Sequence, residues 1–130
     1  ARVESAVEEF VRYHNPVTRS IRRVAENFTW RGRSLKHGQT ITMLLMAANR
    51  DPDQFPDPDR LDILRHPNKH LGFGFGIHFC LGAPLARLEA RIAFRTLVDH
   101  LPHWQLAGDD IELQPTFGLR SLKQLRLRRR

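Results

Sequence analysis

The stretch that decides the fold reads HLGFGFGIHFCLG and runs from His70 to Gly82. It holds four of the eight glycines of the chain, several of them alternating with phenylalanine, and it contains the one cysteine, Cys80. Glycine lets a partner approach the backbone closely, and aromatic rings supply flat apolar surface. An amphipathic helical pattern follows, so the free amides and dipole of a helix start would stabilise a thiolate at Cys80. The stretch therefore predicts a loop that combines backbone access, an apolar wall and a thiolate.

The residues alone leave other interpretations of Cys80 open. A single cysteine excludes an internal disulfide, but the thiol could be a buried small hydrophobe or a nucleophile paired with His78 or another histidine. Neighbours two apart on an extended loop are poorly placed for such a pair. A zinc site is a further alternative, although zinc motifs rarely require interleaved Phe and Gly. Its ligands would be His66, His70, His78 and Cys80.

The spacing Phe73-x-x-Gly76-x-x-x-Cys80-x-Gly82 resembles the cysteine-ligand signature of the cytochrome P450 superfamily, F-x-x-G-x-x-x-C-x-G. The match is complete, and the continuation LGAPLARLE at 81–89 is similar to the helix after the ligand in soluble bacterial members. The similarity extends over essentially the whole chain. It implies a mainly α fold with short β-strands, the C-terminal part of the cytochrome P450 fold, with residues 1–130 as a single heme-ligand segment.

The resemblance also implies heme b (iron protoporphyrin IX) as cofactor, with Cys80 as the axial metal ligand and catalytic residue. The thiolate would push electron density onto the iron and favour O–O cleavage, so that a monooxygenase inserts one oxygen atom from O2 into a small organic substrate. Arg22 and His78 take the propionate-contacting positions, with Arg19 and Arg23 as alternatives to Arg22. The implied cofactor-binding set is Cys80, Phe73, Gly74, Gly76, His78, Gly82 and Arg22.

Glu9 and Arg12 lie three residues apart on the first predicted helix, so they face each other across one turn. By themselves they indicate an ordinary helix ion pair. Their sequence, Glu9-x-x-Arg12, also resembles the E-x-x-R motif of the same family, and Arg60 lies where the family presents a second arginine to that pair. We therefore expect a structural triad of Glu9, Arg12 and Arg60, whose disruption would leave an uncompensated buried charge.

The net charge of +7 and the pI near 10.9 indicate acidic partners without choosing among them. Arg87, Arg91 and Arg95 form one stripe on the last predicted helix, which the resemblance places on the cysteine side of the heme. It implies an acidic electron-transfer protein of the ferredoxin or flavodoxin type as partner, and a solvated helix face is the alternative. Nucleic acid is disfavoured, because the aromatic residues cluster with glycine instead of interleaving with the arginines.

Hydrophobic periodicity and turn residues divide the chain into elements. A helix is predicted from Val3 to Tyr13, short strands between 21 and 41, a short helix over 42–49, an irregular loop over 50–59, a long helix over 81–100 and a terminal hairpin beyond Trp104 with a turn at 108–110.

The composition, 41% hydrophobic and 27% charged over 130 residues, is that of one folded domain. Apolar runs stay far below the roughly 20 residues that span a bilayer, and the N-terminus lacks a secretory signal. We therefore expect a cytoplasmic protein with no membrane span. Because the chain starts at Ala1 inside a helical pattern, we also expect it to be a piece of a longer protein.

Complete members of the resembled family carry an acid–threonine pair that delivers protons to bound oxygen, and most substrate-contacting segments, upstream of the E-x-x-R helix. The resemblance therefore implies that this chain alone carries out at most weak, unspecific peroxidase-like chemistry. The alternative is a non-catalytic remnant of the family that binds heme or acts as a basic interaction module.

Overall fold

The structure, a computed structural model, describes residues 2–108 and 111–130. In these ranges it contains helices α1 (Arg2–Tyr13), α2 (Leu45–Ala48) and α3 (Ala83–Leu97), with short 3-10 helices at Gly76–His78 and Leu101–His103. The strands are β1 (Ser20–Arg23), β2 (Phe28–Trp30), β3 (Arg33–Leu35), β4 (Thr40–Met43), β5 (Trp104–Leu106) and β6 (Leu127–Arg129). The order of elements is the predicted one, with helices plus short strands.

Helix α1 has close to the predicted extent, and it packs against α3, where Phe10 meets Phe94. The ring centroids of Phe10 and Phe94 lie 4.9 Å apart. The apolar residues of α1 recur at helical spacing, and Val7 among them is buried. The helix ends at Tyr13, shortly before Pro16, which cannot continue a helical ladder.

The periodicity predicts a helix over 81–100, but α3 begins at Ala83 and ends at Leu97 and is therefore shorter. Gly82 is its N-cap residue, and Pro84 lies in its first turn, where a missing N–H has no cost. Cys80 therefore precedes the helix instead of belonging to it. Only Ala83 is buried along the whole length of α3.

Each strand pairs antiparallel with one partner: β1 with β4, β2 with β3, and β5 with β6. The β2–β3 hairpin turns through Arg31 and Gly32, both at positive φ, as a two-residue hairpin turn requires. The pairing of β5 with β6 and the bridge between Leu113 and Leu122 confirm a terminal hairpin, but the chain reverses between Gln114 and Ser121 instead of at the predicted 108–110. Its predicted turn includes Asp109 and Asp110, which lie outside the described residues.

Residues 50–75 form no helix or strand, as the prolines and aspartates of 50–59 predict, but the segment is held by hydrogen bonds. Phe55 is buried within it. The largest fully buried side chains of the described residues are mostly polar: Arg12, Glu9, Val7, Asn15 and Asn49. Within the described ranges, none of the helices combines the length and apolar character that crossing a bilayer would need.

Candidate functional site

A buried ion pair joins Glu9 and Arg12 within α1. Arg12 Nε donates to Glu9 Oε2 at 2.8 Å and Nη2 donates to Oε1 at 2.7 Å, with both side chains fully excluded from solvent. Arg12 Nη1 also donates to the carbonyls of Asn49 (2.9 Å) and Pro58 (2.8 Å). Burial alone would raise the pKa of Glu9, but the hydrogen bonds from Arg12, the Asp62 backbone and Arg65, with the charge of Arg12, together hold that pKa below its usual range. The pair thus ties α1 to α2 and the irregular loop.

The second arginine at Glu9 is Arg65, so the prediction of Arg60 as the third member of the triad is wrong for the side chain. Arg65 Nε lies 3.3 Å from Glu9 Oε1, and its side chain is almost fully buried. Arg60 is exposed and contributes its backbone carbonyl, which accepts from Arg12 Nη2 and Arg65 Nη2, each at 3.2 Å. The physical reason is a turn: Arg60 N–H bonds the carbonyl of Asp57, so the backbone of residue 60 faces the network.

Two more groups complete the shell of Glu9. The backbone N–H of Asp62 donates to Oε1 at 2.9 Å, and Asn68 Nδ2 donates to Oε2 at 3.0 Å. Sequence reasoning missed Asn68 and Arg65. A second arginine five residues after Arg60 in the same loop was the signal that could have found Arg65.

A cavity of about 660 Å³ opens beside the cysteine loop, which we define as residues 70–82. Five of the predicted cofactor-binding residues line it: Arg22, Phe73, Gly74, His78 and Cys80. Its remaining lining is largely apolar and was not predicted: Val11, Asn15, Pro16, Val17, Ser20, Met43, Leu45, Leu71, Gly72, Phe75 and Ala86.

Gly76 and Gly82 do not line the cavity. Gly76 has φ +67°, a conformation that side chains rarely adopt, and it starts the 3-10 turn before Cys80. Gly82 caps α3, and a Cβ there would lie 3.8 Å from Cys80 Sγ. Both glycines shape the loop beside the cavity, and their role as cofactor contacts stays a prediction.

The loop places Cys80 through its backbone. Cys80 N–H donates to the carbonyl of Phe73 at 2.8 Å, and Gly74, at φ +77°, makes the turn between them possible. The Cys80 side chain is exposed and faces the cavity. The interpretation of Cys80 as a buried structural hydrophobe therefore does not hold.

The zinc alternative has no assembled ligand set in the part of the chain that the structure describes, where no three His, Cys, Asp or Glu side chains come together as metal ligands. His70 is engaged elsewhere, with Nε2 3.0 Å from Glu8 Oε2 and Nδ1 accepting from Gly72 N–H at 3.0 Å. Burial lowers the pKa of His70, although Glu8 opposes this shift.

Arg22 is held at the cavity by β1. Its Nη1 donates to Ser20 Oγ and to the carbonyl of Ile21, both at 2.9 Å. The guanidinium of Arg19 instead lies 3.3 Å from the ring centroid of Phe117, and neither Arg19 nor Arg23 lines the cavity. The geometry therefore favours Arg22 over its neighbours as the group facing this space.

The arginine stripe of α3 is partly engaged within the chain. Arg87 makes two hydrogen bonds to Glu8, at 2.7 and 2.8 Å, and these lower the pKa of Glu8 and raise that of Arg87. Arg95 Nη2 bonds Glu4 Oε1 at 3.1 Å. Arg91 donates to the carbonyl of Arg87 and makes no ion pair with a described carboxylate.

The cavity groups form a coherent donor set for one kind of molecule. A thiol can ligate a metal ion, while a guanidinium and an imidazole can bind carboxylates. The aromatic and aliphatic lining suits a flat apolar body. A metal-containing macrocycle with carboxylate arms, such as heme, fits this combination.

Comparison with known proteins agrees with the resemblance. The family model described as cytochrome P450 matches residues 3–124. The chain is 49% identical over 126 residues to the polyketide biosynthesis cytochrome P450 PksS of Bacillus subtilis. This alignment covers 95% of this chain and 31% of PksS. It is 45% identical over 129 residues to the cytochrome P450 monooxygenase PikC of Streptomyces venezuelae, covering 97% of this chain and 31% of PikC.

Solved structures give the same result. The crystal structure of P450BioI in complex with a hexadec-9Z-enoic acid ligated acyl carrier protein superimposes with a TM-score of 0.93 at 43% identity, covering 99% of this chain and 34% of that one. The chain thus spans about a third of the length of the proteins that it matches.

Proposed function

The chain belongs to the cytochrome P450 family, and from that premise we propose that it is the heme-thiolate part of a monooxygenase, in which the Cys80 thiolate would hold the iron of heme b. One observation carries the proposal: Cys80, Arg22 and His78 line a single, largely apolar cavity. A bound heme would supply the chemistry that activates O2.

The residues of this chain would bind and orient that group. Cys80 would offer its sulfur from a loop whose backbone is fixed by the bond from Cys80 N–H to Phe73 O. Arg22 and His78 would bind the two propionates, and Phe73 and Gly74 would form part of the wall beside the sulfur. The network of Glu9, Arg12 and Arg65 would hold the loop between α2 and the cysteine loop in place.

The substrate of the whole enzyme would be a small organic molecule that receives one oxygen atom. Its electrons would come from an acidic protein of the ferredoxin or flavodoxin type, docking near Arg87, Arg91 and Arg95. Since Arg87 and Arg95 pair with Glu8 and Glu4, Arg91 would contribute most of the uncompensated charge to this face. Replacing Arg91 with Gln should slow reduction by such a protein and weaken the salt dependence of that rate.

The deciding experiment is a reduced carbon-monoxide difference spectrum of the chain reconstituted with hemin. Thiolate ligation gives a strongly red-shifted Soret band, which Cys80→Ser should abolish. Arg22→Leu should weaken heme retention while keeping the band position, because Arg22 would contact only a propionate. The proposal fails if the folded chain takes up no heme, or if Cys80→Ser leaves the red-shifted band intact.

A further inference from the structure

We propose that Glu8, His70 and Arg87 form a positioning cluster that holds Phe73 and, through it, the backbone of Cys80. The inference rests on the proposed function, because it concerns the geometry of the proposed ligand. It adds three residues outside the ligand signature and outside the Glu9 network.

The first link is between α1 and α3. Arg87 Nε and Nη2 donate to the two carboxylate oxygens of Glu8 at 2.7 and 2.8 Å, which is the forked arrangement that fixes a guanidinium plane. That plane lies over the ring of Phe73, with Cζ 4.6 Å from the centroid. Glu8 thus determines where Arg87 sits, and Arg87 covers one face of Phe73.

The second link is between Glu8 and the start of the cysteine loop. His70 Nε2 lies 3.0 Å from Glu8 Oε2, and Gly72 N–H donates to His70 Nδ1 at 3.0 Å. Because Nδ1 accepts this bond, the neutral ring carries its proton on Nε2 and donates it to Glu8. One carboxylate therefore holds the backbone before Phe73 as well as the cation over its ring.

The third link reaches the proposed ligand. The carbonyl of Phe73 accepts the N–H of Cys80 at 2.8 Å, and the rings of Phe73 and Phe79 lie 6.4 Å apart. A shift of the Phe73 backbone, which the packed ring and the bond from Gly72 to His70 oppose, would move this carbonyl and loosen the turn that presents the sulfur. The cluster is connected to Cys80 by one side chain and one hydrogen bond.

Energetics favour positioning over global stability as the role of the cluster. The side chains of Glu8 and Arg87 are 29% and 31% exposed, and ion pairs with this much solvent access contribute little to the free energy of unfolding. The adjacent pair of Glu9 and Arg12 is fully buried, so breaking that pair should lower the free energy of unfolding strongly. Neighbouring carboxylates of α1 thus serve two separate networks.

The test uses the full chain with Glu8→Gln and Arg87→Gln, and Arg95→Gln as the matched control for an exposed ion pair on the same helix. In the heme-free chain, hydrogen exchange of the Cys80 amide should become on the order of tenfold faster in the two cluster variants, with little change in the unfolding midpoint. In the hemin-loaded chain the same variants should shift the reduction potential and broaden the carbon-monoxide Soret band. Arg95→Gln should change neither.

A charge swap separates positioning from mere ion pairing. Glu8→Arg with Arg87→Glu restores an ion pair but brings a carboxylate to the negative face of the Phe73 ring, so Cys80 amide protection should not recover. A double-mutant cycle adds a second check: in a Phe73→Leu background, Arg87→Gln should have little further effect on this amide.

The proposal is overturned if Arg87→Gln changes Cys80 exchange no more than Arg95→Gln does, or if the swap restores protection fully. Both exchange measurements are made without heme, so they remain decisive even if the wild-type chain takes up none. In that case the proposed function fails, while the exchange of the Cys80 amide still decides whether the positioning cluster exists.

Discussion

Helices α1 and α3 lie against each other, yet they are built in opposite ways. The buried residues of α1 are Val7, Glu9 and Arg12, all at most 2% exposed, and two of these three are charged. In α3 only Ala83 is buried, while Leu85 and Ile92 are 58% and 57% exposed. The fold of this chain is therefore centred on a polar network. The apolar stripe of α3, which we define as Leu85, Leu88 and Ile92, contributes little to the core.

The difference follows from what surrounds each helix. The loop after α2 wraps the inner face of α1 and supplies backbone carbonyls and Arg65 to its charges. Helix α3 meets α1 along one side, and within residues 2–108 and 111–130 no loop covers Leu85, Leu88 and Ile92, which are 47–58% exposed. A substitution on the inner face of α1 should therefore lower the free energy of unfolding strongly, and a substitution on the apolar stripe of α3 should change it little.

The largest effect is expected from Arg12→Ala. It leaves the Glu9 carboxylate fully buried with only Arg65, Asn68 and one backbone N–H beside it. Breaking a buried pair in this way costs about 3–5 kcal/mol. Chemical denaturation should show this loss in the free energy of unfolding, whereas Arg95→Ala, at an exposed pair, should stay within about 0.5 kcal/mol of wild type. Equal losses in both variants would contradict the picture of α1 as the centre of the fold.

The next effect is expected from Gly72→Ala, where the cysteine loop crosses α1. A Cβ at this position would overlap Val11 Cγ1 and lie 3.2 Å from the Val11 carbonyl. Val11 is β-branched and stiff, so relief requires a backbone shift that costs about 1–3 kcal/mol. Thermal unfolding of the variant should show this loss. Gly108→Ala is the control, because a Cβ there meets no atom of the described residues within 4 Å.

A smaller, pH-dependent effect is expected at His70. Its pKa in the folded chain lies below the ordinary 6.5, because the ring is buried, so the unfolded chain takes up the proton first on acidification. The stability that neutral His70 contributes is fully present above pH 6.5 and is lost as the pH falls toward the lowered value. His70→Gln should flatten the dependence of the unfolding midpoint on pH in this window, relative to the wild-type chain. An unchanged slope in His70→Gln would argue against a buried neutral ring.

The smallest effect is expected on the apolar stripe of α3. Leu88 is 47% exposed, so Leu88→Gln should change the free energy of unfolding by no more than about 0.5 kcal/mol. The same change at buried Val7 should cost more, since it removes core contacts and buries an amide. Urea denaturation of the two variants compares the helices directly. A loss at Leu88 that equals the loss at Val7 would mean that the stripe is packed in solution.

Much of this chain could be predicted where a pattern is local. Helix α1, the hairpin of β2 and β3 and the irregular proline–aspartate loop follow from periodicity and from turn residues. The ends of α3 were less predictable, because the periodicity continues on both sides of the capping Gly82 and of Leu97. Local patterns constrain the type of an element more tightly than its ends.

The candidate site shows the same difference between local patterns and long-range contacts. By itself the sequence determined the cysteine loop, since the spacing of Phe73, Gly76, Cys80 and Gly82 is a local requirement of one backbone path. Only the tertiary structure decided which arginine completes the Glu9 network and which carboxylate holds Arg87. The physical reason is that these partners lie 56 and 79 residues apart, where contact depends on the path of the chain and leaves no periodic trace.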